Sequence, residues 1–206
     1  VQMTATIASL VESSTLNQIE FRVEDQAGNT ETSTAFILQV DNTAPAAPVS
    51  LTSSPAGWTN TDSFSLSWTN PPDESAIVRA YYKLDGVPSG PTDATGYRDG
   101  TGITTITGIS VGTSGCHVVY VWLQDAAGNV DHTHRSSLSL CLDTDAPTKP
   151  ISLSVTPDKW TSVNSFELTW ANPAQSQAAI NKAYYKFGSA PTHAADISGF
   201  RTGTHI

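Results

Sequence analysis

Residues 41 to 48 read Asp41-Asn42-Thr43-Ala44-Pro45-Ala46-Ala47-Pro48, and the pattern returns downstream as Asp143-Thr144-Asp145-Ala146-Pro147-Thr148-Lys149-Pro150. The match does not stop there. Trp58, Phe64, Leu66, Trp68, Asn70 and Pro71 recur as Trp160, Phe166, Leu168, Trp170, Asn172 and Pro173. After a one-residue insertion near Gln177, Ala80-Tyr81-Tyr82-Lys83 recurs as Ala183-Tyr184-Tyr185-Lys186. Gly96, Arg98 and Gly100 then recur as Gly199, Arg201 and Gly203. A second echo lies upstream. Ile19, Phe21, Val23 and Asp25-Gln26-Ala27-Gly28-Asn29 match Val119, Val121, Leu123 and Asp125-Ala126-Ala127-Gly128-Asn129. Self-similarity at a fixed period marks an array of structural units. Residues 43–144 are read as one complete unit, 1–42 as the second half of another, and 145–206 as the first half of a third.

Inside the complete unit, Phe64, Leu66 and Trp68 alternate with Ser63, Ser65 and Ser67. That period of two belongs to a strand with one dry face. Ala80, Tyr82 and Leu84 alternate in the same way, and Val119, Val121 and Leu123 face the core from a later strand. Leu138, Leu140 and Leu142 do so from the last one. Between these two strands, Asp125 to Asn129 supplies the Gly and Asn of a tight reversal. Pro45, Pro48, Pro147 and Pro150 stand where the chain enters a unit, stiffening a short linker and capping an edge strand.

Trp68 with Asn70-Pro71-Pro72, then Ile77 and Tyr81-Tyr82, then a strand ending in Asp125-Ala126-Ala127-Gly128-Asn129, resembles the fibronectin type III and bacterial immunoglobulin-like repeats of surface proteins. The resemblance implies an all-β fold of tandem immunoglobulin-like or fibronectin type III-like β-sandwiches in an extracellular, cell-surface setting. Antibody domains join their sheets with a buried cysteine pair, and the cysteines of this chain do not stand where that bond needs them. Cys116 and Cys141 are instead nearly symmetric about the Ala127-Gly128-Asn129 turn. They therefore face each other across a hairpin, on the side away from Val119, Val121, Leu138 and Leu140. That placement permits a cross-strand disulfide, which suits an oxidising compartment, or leaves two thiols on one sheet.

Composition narrows the function. Ten basic against nineteen acidic residues give a net charge of −9. Such a balance repels nucleic acid and anionic lipid, so neither is an expected partner. No apolar run reaches the roughly 18 residues of a membrane helix, and no membrane insertion is expected. The chain opens on Val1 without a signal-peptide pattern and reads as a mature or excised piece of something longer. No Asn-x-Ser/Thr acceptor occurs.

Catalytic signatures are missing as well: no nucleophile elbow, phosphate-binding glycine loop or zinc-type cysteine spacing appears, and the chain is not expected to be an enzyme. Three weaker constellations remain. Asp41 at the first junction, and Asp143 with Asp145 at the second, could bind calcium together with Asp25 or Asp125, or could cap turns. His132 and His134 could share a metal with Asp131 or Asp125, or edge a solvated turn. Val118, Tyr120 and Trp122, joined by Tyr81 from the neighbouring strand, form an outward row that another surface should cover. Another protein surface, as a subunit or domain contact, suits that row better than a cell-surface glycan, because aromatics concentrate at the centres of protein interfaces.

The expected role is a structural segment of a cell-surface protein that assembles into a filament, sheath or layer, or forms an adhesin stalk. The alternative is a carbohydrate-binding accessory segment of a secreted hydrolase. The expected partner is the chain itself. The half-units at its ends would be completed by neighbouring repeats of a longer chain, or by strand exchange between chains.

Overall fold

The computed structural model describes residues 4–174 and 177–202, and among them every regular element is a strand. Gly203 and Ile206, which the repeat aligns with Gly100 and Ile103, lie outside the described residues. The N-terminal segment holds β1 (Gln18–Ile19), β2 (Arg22–Glu24), β3 (Thr30–Thr32) and β4 (Phe36–Ile37). The complete unit runs through β5 (Val49–Ser54), β6 (Trp58–Thr59), β7 (Phe64–Thr69), β8 (Ile77–Leu84), β9 (Gly96–Asp99), β10 (Thr105–Ile109), β11 (Gly115–Asp125) and β12 (Val130–Leu142). The C-terminal segment holds β13 (Ile151–Thr156), β14 (Glu167–Ala171), β15 (Lys182–Tyr185) and β16 (Gly199–Thr202). No described helix is long and apolar enough to cross a membrane. The chain separates into two compact units. One gathers the chain up to Gly57 with Asp62–Gly112 and Cys116–Cys141; the other holds Trp58–Thr61, Thr113–Gly115 and the chain from Leu142 onward.

The complete repeat is a β-sandwich. A three-stranded sheet, β10-β7-β5, faces a five-stranded sheet, β6-β12-β11-β8-β9. The alternation read from the sequence fills the space between them: Phe64, Leu66 and Trp68 from β7, Ile106 and Ile109 from β10, Val119, Val121 and Leu123 from β11, and Leu140 and Leu142 from β12 are all buried. Leu138, expected to join them, is only half-buried. On β8, antiparallel pairing sets Leu84 opposite Val119, Tyr82 opposite Val121 and Ala80 opposite Leu123, so the period-two reading of both strands holds in register.

The recurring Asp-x-Ala-Gly-Asn stretch is a turn with its own hydrogen-bond closure. Asp125 Oδ1 accepts the Asn129 N–H at 2.8 Å, and Asp125 Oδ2 accepts from Asn129 Nδ2 at 2.8 Å. Asp25 and Asn29 repeat both bonds at 2.8 and 2.7 Å. Gly128 and Gly28 sit at φ of 96° and 85°, a conformation that costs a Cβ-bearing residue energy, which accounts for the glycine in both copies. Local geometry is equally faithful at the other end. The β5–β7 register slips between Val49 and Thr52, the β13–β14 register slips between Ile151 and Ser154, and Ser50 and Ser152 share a φ of 54° at these bulges.

Cys116 and Cys141 form the cross-strand disulfide, with Cα atoms 4.1 Å apart. The separation lies just below the roughly 4.4 to 6.8 Å usual for disulfides, and the two residues stand on adjacent strands, β11 and β12. The bond closes a loop with a sequence separation of 25. Loop-closure entropy for that length corresponds to about 3.5 kcal/mol. Replacing both cysteines by alanine is therefore expected to lower unfolding stability by about 2–4 kcal/mol in urea titrations with no change of fold, and a neutral double variant would show that the staple restrains nothing.

A second stabilising constraint is electrostatic. Asp62 enters the turn after β10, accepting from the Ser110 hydroxyl at 2.5 Å and from the Val111 and Gly112 N–H groups at 2.7 and 2.9 Å. These bonds, the Ser110 hydroxyl first, hold its carboxyl below the usual range. A carboxyl depressed on folding contributes stability above its unfolded pKa of about 3.9 and loses it as pH falls further. Urea midpoints measured from pH 5 down to pH 2 should decline less steeply for Asp62→Asn than for the native chain; equal slopes would remove Asp62 from the account.

Candidate functional site

The complete repeat gathers three carboxylates at its entrance. Asp41, Asp73 and Asp125 bring one oxygen each to within 4.8 Å of one another, the only such grouping of three among the described residues. Each arrives by a different route. Asp125 is the buried end of β11, Asp41 immediately precedes the Pro45 entry, and Asp73 follows the Asn70-Pro71-Pro72 corner that ends β7. Asn129 ties two of them together, its Nδ2 donating to Asp125 Oδ2 and to the Asp41 carbonyl at 3.1 Å. Asp41 Oδ2 and Ser75 Oγ are buried without a hydrogen-bond partner. Burial pushes the Asp73 carboxyl up, and the charges of Asp41 and Asp125 add to the shift.

An oxygen-only set of this kind suits a hard divalent cation better than zinc or copper. An adjoining cleft, about 440 Å³, takes Asp41 of the three into its lining, with Ser14, Gln39, Glu74, Ser75 and Ala126 among others. It carries no aromatic ring on which a sugar could stack.

Only part of the sequence reading is gathered here. Asp41 and Asp125 meet, whereas Asp143 spends its oxygens on the Asp145 and Ala178 N–H groups, at 3.1 and 3.0 Å, and Asp145 is exposed. The stretch of the second copy that aligns with Asp73 reads Ala174-Gln175-Ser176-Gln177 and offers no acid. Asp25 bonds its own turn. Asp73 was missed because no short pattern connects it to residues 41 and 125; the proline corner alone delivers it. His132 and His134 both lean toward Asp131, at 3.9 and 3.8 Å, but His134 Nδ1 is taken by the Pro45 carbonyl and Asp131 Oδ1 by Thr133.

The aromatic row is corrected by the structure. Tyr81 does lie opposite Trp122 on the outer face, stacked at 5.5 Å between ring centroids. The two rings are nevertheless buried, so they offer no open surface to a partner or a glycan. Their cover is the chain's own β8–β9 connection. The Trp122 indole donates to the Pro91 carbonyl at 2.9 Å, and Asp93 pins the loop by accepting from Lys83 Nζ at 2.6 Å and from the Ser89 N–H and hydroxyl. On the far side, Arg79 spreads over Tyr97 and forms a two-point ion pair with Asp99. Val118 remains exposed and Tyr120 half-buried beside Arg135.

No protein-family model matches this sequence, and no curated protein does. Among solved structures, the chain is similar to the FN1–FN3 domains of chicken CNTN1 at 16% identity and a TM-score of 0.31. The match covers 84% of this chain, which spans 60% of that structure's length.

The crowded carboxylates generate the test of this site. Removing one charge by Asp73→Asn is expected to raise the melting temperature in chelator by a few degrees, corresponding to roughly 1 kcal/mol of relieved repulsion. Millimolar calcium is expected to raise it for the native chain and not for the variant. Calorimetry showing no calcium response in either protein would reduce the cluster to a set of turn caps.

Proposed function

We propose that this chain is a structural repeat segment of an extracellular cell-surface protein. The carrying observation is the Cys116–Cys141 staple across β11 and β12 of a β-sandwich whose sequence pattern recurs in part along the chain. Disulfides of this kind persist in oxidising compartments, and sandwiches of the immunoglobulin and fibronectin type III type serve widely as extracellular modules. The repeat supports a mechanical role, in which length and stiffness come from units joined through Pro45–Pro48 and Pro147–Pro150. The finer assignment is a self-assembling filament, sheath or layer, with an adhesin stalk as a variant of the same use.

Two site features support a role without catalysis. The three clustered carboxylates form an oxygen-only set suited to a structural cation, and the outer aromatic rings are sealed under a loop. The test is where the native protein resides and in what redox state. Protease treatment of intact source cells should release fragments containing residues 43–144. Thiol labelling of the native material should find Cys116 and Cys141 blocked until reduction. A protected protein with both thiols free would overturn the assignment.

A further inference from the structure

The two half-repeats leave open the faces that the complete repeat closes. Phe64, Leu66 and Leu84 have Phe166, Leu168 and Phe187 as counterparts, and where Phe64 is fully buried Phe166 is 56% exposed. Val121 and Leu123 have Phe21 and Val23, and where Val121 is fully buried Phe21 is 54% exposed. The deficit is large in total. Accessible surface is 13870 Å², whereas two separate domains of half the mass would expose about 11,000 Å². The excess is about 2,900 Å², to which the exposed irregular segment from Thr4 to Glu12 also contributes.

What covers these faces can be read from the register of the complete repeat. There β8 lies between β9 and β11, with Tyr120 opposite Lys83, Trp122 opposite Tyr81 and Gln124 opposite Arg79. In the C-terminal half, β15 pairs with β16 and, among the described residues, with nothing on its other edge. The N-terminal half holds the strands equivalent to β11 and β12. We propose that residues 19–24 of a second copy of this chain add to the free edge of β15, completing the C-terminal half as a sandwich. This deepens the structural reading given above, naming the partner and the strand it uses.

Charge supports the pairing. Carrying the register across sets Glu20 opposite Lys186, which already pairs with Asp196 as Lys83 does with Asp93, Arg22 opposite Tyr184, and Glu24 opposite Lys182. The third pair is the most telling. Arg79 takes its counter-charge from Asp99 on β9, but the residue opposite Lys182 on β16 is Thr202, and Lys182 has no carboxylate within ion-pair distance among the described residues. The missing negative charge reappears on the other side of the strand, at Glu24. On the inner face the same register places Ile19, Phe21 and Val23 against Phe187, Tyr185 and Ala183, matching Val119, Val121 and Leu123 against Leu84, Tyr82 and Ala80.

The pairing is heterologous, since each copy offers its first strands and needs another's, and such a contact propagates into an open chain. Sedimentation of the 206-residue protein should show mass rising with concentration beyond a single chain. Lys182→Glu should weaken the association about two- to fivefold, the scale of one exposed ion pair, and adding Glu24→Lys to it should restore the original strength. A permuted chain in which residues 1–40 follow directly after 41–206 should be monomeric and melt higher, by on the order of 10 °C. A native chain that stays monomeric at every concentration, whether by closing on itself or by tolerating the open faces, overturns the proposal. So does a double variant as weak as the single one, or a permuted chain that melts no higher. Sedimentation is indifferent to where the protein resides, so this proposal and the extracellular assignment can fail separately.

Discussion

The packing of Phe64, Leu66 and Trp68 against Val119, Val121 and Leu123 is the constraint on which the architecture depends, because strands separated by half a repeat in sequence must meet to exclude water. Neither set forms a dry interior alone. A single sheet has one face to bury and needs a second layer to do so. The same chain supplies the comparison: the C-terminal copy has the Phe, Leu and Trp strand without its later partners and remains exposed, and the N-terminal copy has the later strands without theirs. Local sequence directs the bulges, the turns and the hairpins in every copy, and burial follows only where both halves are present.

The fold was legible in the sequence because its signals are local and repeated. Period-two alternation named the inward residues of β7, β8 and β11, and the Asp-x-Ala-Gly-Asn stretch announced its reversal, since both depend on residues a few positions apart. The disulfide was legible for the same reason, as a symmetry about a recognised turn. Asp73 was not, because its place beside Asp41 and Asp125 comes from the corner after β7. Nor was the burial of Trp122. Its outward direction was correctly read from alternation, but its cover is a loop whose path is set by Asp93 reaching Lys83 and Ser89, and loop paths carry no periodicity.

That covered face bears on how the repeats differ. In the complete unit, the outer side of β11 is neutral and aromatic, suited to lie beneath the loop, and Arg79 finds its counter-charge on β9. The N-terminal copy presents Glu20, Arg22 and Glu24 at the same positions, a set that would be unremarkable on a solvated strand. The C-terminal copy loses the acid of β9 while keeping a cation on β15. The proposed neighbourhood of β2 and β15 would return that lost acid as Glu24 opposite Lys182, whereas Lys186 keeps Asp196 as Lys83 keeps Asp93.

The loop over Trp122 also gives a reason why the proposed pairing between half-repeats need not compete with folding of the complete one. Substituting residues 19–24 for 119–124 beside β8 would place Arg22 where Trp122 stacks on Tyr81, and would leave its guanidinium under a loop fitted to an indole, with Arg79 nearby. Two cations on one covered tyrosine repel each other where little water screens them. Inserting residues 119–124 beside β15 would bring Trp122 against Tyr184 but leave Lys182 without a carboxylate. Beside β8, Glu20 and Glu24 would face Lys83 and Arg79 much as the proposed pairing has them face Lys186 and Lys182, so it is Arg22 under the loop fitted to Trp122, and not the acids, that disfavours residues 19–24 there.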